Sequence, residues 1–110
     1  MRENHQVRDK AEDEDEYANE QIYDLVQGPS VASHNIHELQ QLADDLNRCI
    51  CNLESIGLLE QIDNRLGVKA VANRLPRSMR GKYQSFRHQY PGIRGLWEFM
   101  QKTIKEVKEE

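Results

Sequence analysis

The residues of this 110-residue chain best suited to hold a metal are Cys49 and Cys51, in C-x-C spacing, with His34 and His37 upstream. A structural zinc site needs about four such donors converging on one ion. On the helix that the pattern predicts here, the histidines lie about three turns or more from the cysteines, beyond the reach of one ion within a single chain. No metal is expected. The two cysteines at i and i+2 point to different helix faces, so a disulfide between them is disfavoured and a reduced compartment fits. Ser33, Ser78 and Ser85 have no base and orienting acid in a recognisable arrangement, and the carboxylates gather in a charged arm and on solvated faces. Gly92 and Gly95 alone do not form a phosphate loop. The sequence therefore points away from an enzyme, with no catalytic residue and no cofactor.

The remaining chemistry is cationic. Residues 65–94 contain Arg65, Lys69, Arg74, Arg77, Arg80, Lys82, Arg87 and Arg94 without one carboxylate, whereas residues 1–30 hold nine acidic side chains against Arg2, Arg8 and Lys10. Such a basic stretch attracts phosphates, with Tyr83, Phe86, His88 and Tyr90 as stacking surfaces, and any binding to RNA would be salt-sensitive and sequence-independent. Arg77, Arg80 and Arg87 are the candidate contacts. Against this, the aromatics share a helical stripe with Met79, which is core spacing. The arginines would then form a solvated face, paired with the acidic arm of the same or a neighbouring copy.

These residues need elements to position them. The composition, 37% hydrophobic and 31% charged, is that of a polar chain with one modest core. No apolar run approaches the roughly 18–20 residues that span a bilayer, and the first twenty residues are acidic, unlike a secretory signal. An intracellular, cytoplasmic protein without a membrane partner is expected. Residues 1–16, with EDEDE at 12–16, offer little to bury and read as a flexible acidic arm. A single helical domain over 17–110 follows, with helices at about 17–26, 36–55, 59–74, 77–89 and 93–108. The clearest runs from Asn35 and Glu38, an N-cap with its capping-box partner, through Leu39, Leu42, Leu46, Cys49, Leu53 and Ile56 to a Gly57 stop. Leu59, Ile62, Leu66, Ala70, Val71 and Leu75 form the next stripe, interrupted by Gly67, where the helix bends or approaches a neighbour closely. Leu75-Pro76 is a hinge, because Pro76 suits a first turn and not a helix interior. Met79, Tyr83, Phe86 and Tyr90 follow it, then Ile93, Leu96, Trp97, Met100, Ile104 and Val107. The fold class is all-α, a small irregular bundle of four to five helices.

The order of ICNLESIG at 50–57, NRLP at 73–76, MRGKY at 79–83 and LWEFM at 96–100 resembles the Gag capsid region of LTR retroelements, most closely the BEL/Pao type. The resemblance covers about residues 31–100, and the spacing from Gly57 to Leu75 carries it. Tyr83 stands where that family usually has tryptophan, and Ser55-Ile56 replaces its commoner ending. The resemblance implies a retroviral capsid C-terminal-domain-like fold. It also implies a structural protein that oligomerises with copies of itself to build a particle around RNA. From the stripes as well as the family, Leu39, Leu42, Leu46, Leu53, Gly57, Leu75, Pro76, Tyr83, Phe86 and Trp97 are architectural. Tyr83, Phe86 and Trp97 are expected to hold the last three helices together. Phe99 lies off the Leu96–Met100–Ile104 stripe, which makes Trp97, Phe99 and Met100 the candidate self-association surface. The alternative is a cellular adaptor module that binds a partner's peptide or helix in an apolar groove.

Overall fold

A computed structural model of the chain describes the backbone of residues 2–32 and 35–109, and the side chains of residues 13–32 and 35–108. Five helices make up an all-α bundle, with no strand among the described residues: α1 (Arg2–Val26), α2 (Ile36–Ser55), α3 (Arg65–Ala72), α4 (Arg77–Phe86) and α5 (Gly92–Glu109). Single 3-10 turns at Leu59–Gln61 and Arg87–Gln89 precede α3 and follow α4. No described helix is long and apolar enough to cross a membrane.

α2 is the central element. The Asn35 side chain accepts from the Glu38 amide at its start, and Gly57 turns the chain at its end with φ 74°, a conformation that glycine takes without strain. Its stripe of Leu39, Leu42, Leu46, Cys49 and Leu53 is buried, together with Ala43 and Ile50. α2 packs chiefly against α5, while α1 rests on α2 and α3.

The acidic arm expected to be flexible is part of α1, which begins at Arg2 and not near Tyr17. No glycine or proline occurs before Gly28 to stop a helix, and Arg8–Glu12 and Lys10–Glu14 are opposite charges at i,i+4. From residue 13 onward its inner side buries Ala18 and Leu25, with Ile22 and Val26 packed beside them.

The helix expected over 59–74 is broken in two. Asn64 takes an extended conformation and its side chain accepts from the Gly67 amide at 2.8 Å, so a new helix starts where a continuous one was expected. Gly67 is the close approach: a Cβ there would collide with the Ile62 carbonyl. The restart leaves Ile62 in the core and turns Leu66 outward, 78% exposed. At the Leu-Pro corner both Leu75 and Pro76 are fully buried.

Polar clasps lock these segments. Arg74 Nη1 donates to the Leu25 carbonyl at the end of α1 at 2.7 Å, the Val31 amide donates to the Arg74 carbonyl at 2.8 Å, and Ser30 Oγ donates to the Asn73 carbonyl at 2.8 Å. A cation at a helix C-terminus satisfies an orphan carbonyl and the helix dipole together. Asp63 Oδ1 accepts from the Ile93 amide at 2.9 Å, capping α5 from the turn before α3.

The two glycines inside α3 and α4 predict opposite outcomes. Gly67→Ala should destabilise by about 1–3 kcal/mol through overpacking. Gly81→Ala, which meets nothing within 4 Å, should stabilise by about 0.5–1 kcal/mol by removing a flexible residue from a helix interior. Urea midpoints at unchanged m-value measure both.

Candidate functional site

The aromatic residues are arranged differently from the sequence expectation. Phe99 is only 3% exposed and Met100 is fully buried, so neither belongs to a surface, and Trp97 is half-buried against the core. The reason is that α5 is covered from two directions. α2 takes one side, and on the other Phe99 lies between Tyr83, with ring centroids 5.3 Å apart, and Tyr90, at 5.6 Å. Phe99 fills the position expected of Phe86. Displaced at the end of α4, Phe86 is 41% exposed and lines a small hollow with Lys82 and Lys102. The indole Nε1 of Trp97 is buried without a hydrogen-bond partner.

An open groove of about 840 Å³ lies between α3 and the α4 end. Arg65, Leu66 and Lys69 form one wall, Gln84, Arg87 and His88 the other, and Tyr83 and Tyr90 reach it from the core side. Its one carboxylate among the described residues, Asp63, is engaged with the Ile93 amide. Burial pushes the Tyr83 hydroxyl above its ordinary pKa, with the Arg87 charge opposing that rise, so at neutral pH it is a neutral hydrogen-bonding group. Of the three arginines expected to touch RNA, Arg87 lines the groove and Arg77 and Arg80 do not. Those two precede Gln84 and Arg87 by seven residues each, and so extend the same face of α4 away from it.

The stretch of eight cations is divided by the fold. Arg74 holds the α1 end, Arg94 pairs with Glu54, and Lys82 lies 3.8 Å from Glu106. Arg65, Lys69, Arg77, Arg80 and Arg87 have no carboxylate partner among the described residues. Sequence reasoning included Arg65 and Lys69 in the basic stretch but did not single them out. It assigned Leu66 to the core; the polar Asn64 two residues before it was the available signal that the helix restarts.

Among the described residues the candidate chemical side chains do not converge. Cys49 is buried and Cys51 exposed, as opposite helix faces require, and His37 is exposed. Ser33 and His34 lie outside the described residues. Ser85 Oγ donates to the Gly81 carbonyl within its own helix. Among the described residues no group of three His, Cys, Asp or Glu side chains is placed to hold a metal. The groove can therefore offer positive charge, an aliphatic anchor and hydrogen-bond donors, which is the equipment of a binding surface. No family model, no curated protein and no solved structure matches the chain.

Burial of Cys49 sets a pH dependence. Desolvation pushes its thiol from an ordinary 9.0 up to about 11, so the unfolded chain loses that proton first as pH rises. The associated stability is whole below pH 9 and declines between pH 9 and about 11. Denaturation midpoints across this range should fall for the wild type and fall less for Cys49→Ala.

Proposed function

We propose that this chain is a non-catalytic assembly domain of the Gag capsid type, which associates with copies of itself to build a retroelement particle around RNA inside the cell. The observation that carries the self-association is Leu66, a large aliphatic side chain left 78% exposed on an open groove. Exposed apolar side chains on a concave, cation-lined surface are suited to contact with another macromolecule. The order of helices and the buried Leu75-Pro76 corner are compatible with the resemblance in the sequence. RNA would be a non-specific partner, held by charge alone. The adaptor reading uses the same groove for a foreign peptide and requires a monomer at every concentration.

Sedimentation velocity from micromolar to millimolar concentration separates these readings. The wild type should gain mass with concentration. Leu66→Ser should remain closer to monomer with an unchanged circular dichroism spectrum, because the side chain contributes almost nothing to the core. A wild type that stays monomeric at millimolar concentration overturns self-association, and a Leu66→Ser protein that assembles like the wild type removes the groove from it.

A further inference from the structure

Resting on the self-association proposed above, we infer that the partner in the α3–α4 groove is the outer face of α1 from a second copy of this chain, docked acid to base with tyrosine against Leu66. Asp13, Glu16, Tyr17, Glu20, Tyr23 and Asp24 recur at steps of three and four, which puts them on one face of α1. All six are exposed, Tyr23 at 62% and Tyr17 at 41%. This face is opposite to the one that Ala18 and Leu25 bury, and residues 11–47 contain no lysine or arginine. It is an acidic surface with two rigid amphipathic anchors, the side-chain type that gives contact area at low entropic cost.

The groove is its complement. Arg65, Lys69 and Arg87 have no carboxylate partner among the described residues, and Leu66 lies exposed on the α3 wall beside Arg65 and Lys69. The inner side of α1 is fixed on α2 and α3, and none of its described side chains lines the groove of its own chain. A second copy can bring its outer face there. RNA would match the cations, but phosphates gain nothing from Leu66, and the acidic face of α1 would then remain without an occupant. Charge complementarity at such a rim speeds encounter and makes it sensitive to salt, while the apolar contact between the charges holds the pair.

Two triple variants of the full chain test the contact, each confined to exposed side chains that make no described hydrogen bond or ion pair. One carries Asp13→Asn, Glu16→Gln and Glu20→Gln; the other carries Arg65→Gln, Lys69→Gln and Arg87→Gln. With circular dichroism unchanged, each alone should self-associate about tenfold more weakly than the wild type, as three weakened exposed pairs imply. Mixing the two should restore a one-to-one pair near wild-type strength, because the intact groove of one meets the intact α1 of the other. High salt should weaken the wild type.

Triple variants that assemble as the wild type does, or a mixture that gives no recovery, overturn the α1 contact while leaving self-association standing. A wild type monomeric at all concentrations overturns both. Association that disappears on ribonuclease treatment assigns the groove to RNA and overturns the inference.

Discussion

The constraint on which the rest of this molecule depends is the apolar seam between α2 and α5. A chain this short has surface enough for one core, and its two most amphipathic long helices supply most of it. Leu42, Leu46 and Leu53 on one side, and Ile93, Leu96 and Met100 on the other, are all at or near zero exposure. With that seam closed, the shorter elements occupy what is left. α3 and α4 cover the second side of α5, through Val71, Leu75 and the Tyr83–Phe99–Tyr90 cluster, and α1 lies over α2 and α3. The charges follow this arrangement: Asp13, Glu16, Glu20 and Asp24 are exposed on the outer face of α1, and the cations without a carboxylate partner among the described residues lie on α3, on α4 and in the turn after it.

Short links between helices make the polar clasps necessary. Helix ends carry carbonyls and amides without internal partners, and in this bundle several are met by side chains from distant sequence. Arg74 reaches the end of α1, and Asp63 reaches the start of α5. Each is a charged group at the helix end whose dipole it complements. One consequence is that formal charge in the sequence overstates charge available to a partner. Arg74, Arg94 and Lys82 belong to the fold's own contacts, and it is Arg65, Lys69, Arg77, Arg80 and Arg87 that remain without a carboxylate partner among the described residues.

Much of the fold was legible because local signals agreed with one another. α2 was bounded correctly at Ile36 and Ser55, since a capping asparagine, a one-sided stripe and a stop glycine all point to the same limits. Where signals competed, the pattern misled. Leu66 continues the spacing of Leu59 and Ile62, but the Asn64 side chain competes for the backbone and begins a new helix. Low burial argued against order before Tyr17, yet nothing in that stretch breaks a helix. Phe99 fell off the expected stripe because a stripe assumes burial from one side, and α5 is buried from two. The groove was legible as charges and not as a place. Arg65 and Lys69 share α3 at i,i+4, but Arg87 meets them only through the Leu75-Pro76 turn, whose existence was readable but whose angle was not.

The Asn64 cap fixes more than the point where α3 begins. A helix turns about 100° per residue, so its rotational phase is set by the residue that starts it. With Asn64 in that role, Val71 and Ala72 face inward and Leu66 outward. Moving the start by one position would carry Val71 away from α5 and swing the groove wall with it. Exposed turns ordinarily accept insertions with little harm. The turn from Asp63 to Arg65 is an exception, a surface segment in which length is constrained more tightly than composition.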